Sequence, residues 1–189
     1  MSGFSFLEFL QQIINGLTLG SIYALIAIGY TMVYGIIGMI NFAHGEIYMI
    51  GAFVALIVTG ILTLSGYSGL SVLVLAAVIA AIYAAAYGFT LEKIAYRPLR
   101  KAPRLSPLIS AIGASIFLMN YVQLAQTPDF LPFPELVTDF EFMEPISRYI
   151  SSVDMVILVV TTVTMIALTV LIKYTRIGKA MRATQQDMV

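Results

Sequence analysis

Residues 9–43 read FLQQIINGLTLGSIYALIAIGYTMVYGIIGMINFA, 35 positions without a charge. As one continuous helix this stretch would be about 52 Å long, well beyond a hydrocarbon core of about 30 Å. One crossing followed by a break fits it better. Gly35, Gly38, Asn41 and Gly45 supply the break, because glycine is a poor helix former and Asn competes for backbone hydrogen bonds. The first helix is expected at about 12–34.

The same reading extends down the chain. Residues 47–91 form a second uncharged run of 45 positions, interrupted by Ser65, Gly66, Tyr67, Ser68 and Gly69, so it holds two crossings. Residues 105–128 and 155–172 each fit one more. The expected helices are about 12–34, 47–64, 70–91, 106–126 and 154–173. The fold class is therefore an all-α polytopic bundle of about five spans, with a broken or re-entrant segment near 35–46.

Composition agrees. With 60% apolar and 11% charged residues, the chain has too little polar surface to enclose a soluble core, so lipid is its solvent. Net charge is zero, which gives no reason to expect a nucleic-acid partner. Cysteine is absent, which removes disulfides, thiolate chemistry and Cys-based metal sites. The first eight residues contain Glu8 and neither Lys nor Arg, so no cleaved signal peptide is expected.

Charge placement gives an orientation. Nine of the ten basic residues lie in two blocks, Lys93, Arg97, Arg100, Lys101 and Arg104, then Lys173, Arg176, Lys179 and Arg182. Six of the ten acids, Asp129, Glu135, Asp139, Glu141, Glu144 and Asp154, fall between them. Basic loops stay in the cytoplasm, so both blocks are expected inside, with the acidic segment and the N-terminus outside and residue 189 inside.

Helices in lipid associate through small side chains rather than by hiding apolar surface. Ala76, Ala80, Ala84 and Gly88 form an i, i+4 ridge on the third helix, with Ala77, Ala81 and Ala85 beside it. Gly16, Gly20 and Ala24 do the same on the first. These are expected packing seams.

Asn41-Phe42-Ala43-His44-Gly45-Glu46 is the most polar membrane-proximal patch, and it holds the single histidine. At mid-membrane an ionised Glu46 costs about 2.5–3.5 kcal/mol and needs a partner or a water-filled cavity. At the cytoplasmic interface the same residues would form a solvated turn, with Asn41 or Gly45 capping the next helix. Both readings stand on sequence. One His and one Glu at i, i+2 supply too few ligands for a metal.

The second basic block, residues 175–183, continues as helix-forming sequence. It reads either as a topogenic anchor or as a short helix with Ile177, Ala180 and Met181 on one side, suited to a groove on a soluble partner. The outer segment, residues 126–152, sets Pro128, Pro132, Pro134 and Pro145 among Phe130, Phe133, Phe140 and Phe142. It reads as an ordered lid or a docking surface for an external partner. No nucleotide-binding or nucleophile-elbow motif occurs, so any nucleotide would bind another subunit.

Residues 16–25 (GLTLGSIYAL), 29–35 (GYTMVYG), 40–46 (INFAHGE), 95–100 (AYRPLR), 110–118 (SAIGASIFL) and 175–187 together resemble the permease subunits of branched-chain amino-acid ABC importers, of the shorter type. The resemblance implies a second permease subunit, two cytoplasmic ATPases that carry ATP and Mg, and a periplasmic substrate-binding protein. It implies no cofactor in this chain and no enzymatic activity of its own. Asn41, His44 and Glu46 would shape the translocation pathway or its inner gate. Arg176, Gly178, Lys179, Met181 and Arg182, within the cytoplasmic coupling segment 175–189, would contact the ATPases. Family members continue beyond that loop, so residues 1–189 are expected to be the N-terminal part of one transmembrane permease domain in a bacterial inner membrane.

Other readings are kept beside it. Related permeases for urea or short amides share the Asn-Phe-Ala-His-Gly-Glu type of sequence. A proton-coupled secondary carrier would make His44 and Glu46 a relay, but such carriers bury ionisable groups in several helices. A structural membrane protein would tolerate loss of the Glu46 charge.

Overall fold

The computed structural model describes residues 6–38, 40–99, 102–103, 105–134, 136 and 151–186. Regular structure among them is entirely helical. Five helices are long and apolar enough to cross a membrane: α1 (Phe6–Ile37), α2 (His44–Leu64), α3 (Leu70–Leu91), α4 (Leu105–Ala125) and α5 (Ser152–Tyr174). A sixth, α6 (Arg176–Gln186), is short and polar. The chain is a multi-pass membrane protein.

The helices group into two compact units, α1, α5 and α6 in one and α2, α3 and α4 in the other. In the first, α1 packs on both α5 and α6. Ser151 opens α5, accepting a hydrogen bond from the Val153 N–H at 3.3 Å, and Asp154 sits in the first turn, where a negative charge complements the helix dipole.

The second unit is built on the α2–α3 hairpin. Its turn is a Schellman motif: the Tyr67 N–H reaches the Leu62 carbonyl and the Gly66 N–H the Thr63 carbonyl, both at 3.0 Å. Gly66 takes φ 86°, the left-handed region that glycine enters without penalty. Down the hairpin the two helices meet through small residues. A Cβ on Gly51 would lie 3.6 Å from Ala84 Cβ and 4.0 Å from the Ala80 carbonyl, and one on Gly88 would lie 3.8 Å from Ile47 Cδ1. Ala76 and Ala80 are buried on the same row.

Three local expectations change. The first helix runs from Phe6 to Ile37 instead of about 12–34, because Gly35 stays helical. The stop falls at Gly38, which takes φ 70° and donates to the Tyr34 carbonyl at 2.8 Å. Gly45 is likewise inside α2. The third helix does not finish at 91: a π turn, Glu92–Tyr96, and a 3-10 turn, Arg97–Leu99, prolong it, so Lys93 and Arg97 lie on helical backbone. Arg100, Lys101, Arg104, Glu135, Asp139, Phe140, Glu141, Phe142, Glu144 and Pro145 lie outside the described residues.

Few side chains are buried, and Leu17, Tyr23, Ile82, Phe117 and Ile166 are among many large apolar groups left on the surface. In water such a surface would drive aggregation; against hydrocarbon it costs nothing.

Candidate functional site

The entrance of α2 is where the polar residues gather. The Asn41 side-chain oxygen accepts from the Ala43 N–H at 3.1 Å, and the Asn41 backbone carbonyl accepts from the His44 N–H at 3.1 Å. Asn thus holds the turn through its own backbone, the local bonding that makes it a poor mid-helix residue and a good helix starter. The same side-chain oxygen also accepts from the Tyr96 hydroxyl at 2.5 Å. Tyr96 is buried, carried to this point by the π turn that prolongs α3. Such π turns recur at functional sites.

Five residues after Asn41, the Glu46 carboxylate accepts at Oε1 from the Ser115 hydroxyl of α4 at 3.0 Å. Ser110, also on α4, donates to the Ala95 carbonyl in the π turn at 3.1 Å. The carboxylate sits in the first turn of α2, on the side that the helix dipole favours. Ala43, Ile50, Leu118 and Val122 are buried together beside these polar contacts, with Ile47, Val54 and Leu91 packed on them.

These contacts fix the depth of the entrance within its own unit. From the shared turn at 65–69, α2 runs back over 21 residues, whereas α3 with its extension runs forward over 30. The far end of α3 therefore outreaches the start of α2 by about nine residues, roughly 13 Å at 1.5 Å each. On α4, Ser115 lies ten positions after Leu105, about 15 Å into that helix. The α2 entrance is recessed against both neighbours. Irregular backbone set back from helix ends is tolerated when its polar groups are satisfied; here Asn41 satisfies the Ala43 and His44 N–H groups, while Tyr96 and Ser115 satisfy the side chains of Asn41 and Glu46.

Beyond the entrance, α2, α3 and α4 enclose an apolar cleft of about 320 Å³, at the low end of the range for small-molecule sites. Ile50, Val54 and Ile57 are among its apolar lining, while Tyr83, Tyr87, Tyr121 and Gln126 bring polar atoms. Tyr83 and Tyr87 are tilted rings 5.8 Å apart.

His44 is half-buried as the first residue of α2. On α6, Arg176, Ile177, Lys179 and Ala180 are exposed, Met181 is half-buried and Gly178 is buried; Ile177, Ala180 and Met181 share one side of the helix, with Met181 the least exposed of the three. Of the small-residue seams, Ala80, Ala84 and Gly88 lie in the α2–α3 contact. Among the described residues, a Cβ on Gly16 or Gly20 would meet nothing within 4 Å, and the buried position between them is Thr18.

Sequence reasoning missed Tyr96, Ser115 and Gly51. Tyr96 and Ser115 lie inside the family-like stretches 95–100 and 110–118, yet their roles stay hidden there, since a hydroxyl in an apolar helix becomes legible only when its partner across the bundle is known. Gly51 was detectable as the small residue of α2 that an Ala ridge on α3 requires.

The fold defines a multi-pass membrane protein with a polar helix entrance set back between its neighbours. The chain belongs to the family described as the permease component of branched-chain amino acid transport systems, whose model matches residues 12–189. It is 51% identical over 187 residues to the high-affinity branched-chain amino acid transport system permease protein LivH of Escherichia coli strain K12, covering 97% of this chain and 61% of that protein. The LivH protein of Salmonella typhimurium matches at the same identity and coverage. BraD of Pseudomonas aeruginosa, named as the corresponding high-affinity permease protein, is 50% identical over 185 residues, covering 96% of this chain and 60% of BraD. The chain thus spans about three fifths of the length of these curated relatives. No solved structure matches it.

Proposed function

We propose that this chain is a translocation subunit of an ATP-driven ABC importer for branched-chain amino acids, in a bacterial inner membrane. The observation that carries this reading is the 51% identity, across 97% of the chain, to permeases named for that transport system. The chain contributes a pathway and its movements, while ATP and Mg act on two cytoplasmic ATPase subunits. A second permease subunit completes the membrane part, and a periplasmic binding protein delivers the amino acid.

Within this reading Asn41, His44 and Glu46 shape the inner gate, and Tyr96 and Ser115 join them. The recess supports that role, because a carboxylate with a hydroxyl partner and an apolar cleft beyond it combines polar control with aliphatic walls. Arg176, Gly178, Lys179, Met181 and Arg182 serve coupling to the ATPases through α6, a short helix suited to a groove, some by contact and others by setting how the helix is held. The orientation follows the positive blocks: N-terminus outside, α6 inside.

The test is uptake of radiolabelled leucine by cells lacking their own branched-chain transport and carrying the assembled transporter. Saturable uptake blocked by unlabelled valine and not by urea is the expected result. Urea uptake without leucine uptake would overturn the substrate assignment.

A further inference from the structure

The junction of α5 and α6 is a single residue, Thr175, and its hydroxyl serves both helices at once. It donates to the Leu171 carbonyl of α5 at 2.5 Å and accepts from the Gly178 N–H of α6 at 3.1 Å. The Thr175 carbonyl takes the first backbone bond of α6, from the Lys179 N–H at 3.1 Å. Thr175 is thus the N-cap of one helix and part of the C-terminal closure of the other.

Two further residues tighten the junction from the α6 side. A Cβ on Gly178 would lie 2.1 Å from the Ile172 carbonyl oxygen and 2.6 Å from that of Leu171. Both obstacles are backbone atoms, so no side-chain movement relieves the clash; the backbones of α5 and α6 approach this closely only with glycine there. Arg182 reaches back one turn further on. Its guanidinium donates from Nη1 to the Ile172 carbonyl and from Nη2 to the Lys173 carbonyl. Both belong to the last turn of α5, whose carbonyls have no partner in their own helix and carry the negative end of its dipole.

Gly178 and Arg182 therefore direct their chemistry at α5, while Arg176, Ile177 and Lys179 are exposed at other positions around α6. We propose that Thr175, Gly178 and Arg182 form a latch fixing the angle between α5 and α6, so that a displacement of α6 is passed along the spanning helix. Gly178 and Arg182 are positioning residues, and contact with the ATPases falls to Arg176, Ile177 and Lys179. The coupling half of this inference rests on the function proposed above; the latch itself does not.

The experiment places spin labels on cysteines at Val170 and Ala183, both exposed, in the assembled transporter in nanodiscs, since this chain has no cysteine of its own. A narrow distance distribution is expected for the parent. In Arg182→Ala the ratio of latched to unlatched elbows falls about tenfold, the equivalent of about 1.4 kcal/mol for a lost charge-assisted bond, and Arg182→Lys retains the main distance. Co-purification of the ATPases survives in both, while leucine-stimulated ATP hydrolysis drops in Arg182→Ala and recovers in Arg182→Lys. A parent-like distribution in Arg182→Ala, or loss of the ATPases with the distance unchanged, overturns the latch. If the parent assembly binds no ATPase, the functional reading fails while the distances still decide the elbow.

Discussion

The Tyr96 hydroxyl donates to the side-chain oxygen of Asn41 at 2.5 Å, joining residues 55 positions apart in the chain. Through this bond the prolonged end of α3 holds the irregular backbone that opens α2. Asn41 Oδ1 is then shared between a tyrosine and the Ala43 N–H, which leaves little freedom for the turn.

The two residues should behave as a coupled pair. In a double-mutant cycle of Asn41→Ala and Tyr96→Phe, followed by thermal unfolding in detergent, an interaction energy of about 1 kcal/mol is expected, in line with hydrogen bonds between membrane helices. Additive losses would mean that the bond contributes nothing to holding the turn.

Gly51 should show a size threshold. A methyl there makes ordinary contact with Ala84, so Gly51→Ala is expected to be close to neutral. Gly51→Leu forces α2 off α3 and costs about 1–3 kcal/mol, as overpacking does. Melting temperatures of the two variants check this, and equal stability would remove the seam.

Gly66 and Gly60 offer a paired test of backbone strain. Neither would place a Cβ within 4 Å of another group, yet Gly66 has φ 86° and Gly60 lies inside α2. Gly66→Ala is expected to lose about 1–2 kcal/mol, the cost of a left-handed residue, whereas Gly60→Ala gains about 0.5–1 kcal/mol from reduced chain entropy. The opposite ordering in thermal unfolding would contradict the turn geometry.

Orientation is open to labelling. Phe130, after α4, is almost fully exposed, and Arg176 opens α6. A cysteine at Phe130 should react with an impermeant thiol reagent in intact cells, and one at Arg176 only after permeabilisation. The reverse pattern would invert the topology.

Most of the fold was legible because lipid imposes one strong rule: uncharged stretches of a set length must be helices, and charges mark their ends. The first, fourth and fifth spans follow from that rule, while the Ser65–Gly69 turn was marked by its glycines and serines and the Ala80–Gly88 ridge by its small side chains. Helix ends were less legible, since a glycine signals an exit only when the backbone takes positive φ; Gly38 does so, whereas Gly35 and Gly45 remain helical. The patch at Asn41, His44 and Glu46 was visible as an excess of polarity in an apolar setting. Its depth was not, because depth depends on how far α3 and α4 outreach α2, a relation between helices that no local pattern records. For the same reason Gly178 and Arg182 read as partner contacts in sequence, although their nearest partners are carbonyls of α5.

The central claim is that the recessed carboxylate of Glu46 acts in transport and not merely in holding α2 against α4. Glu46→Gln separates the two, because the amide oxygen still accepts from Ser115 while the charge is gone. Leucine uptake by the assembled transporter, normalised to the amount of complex in the membrane, is the measurement. A fall of about tenfold, the size expected when one charge-assisted contact is lost, with normal assembly, is the predicted result. Uptake at the parent rate with the same assembly would contradict it and leave Glu46 a packing residue.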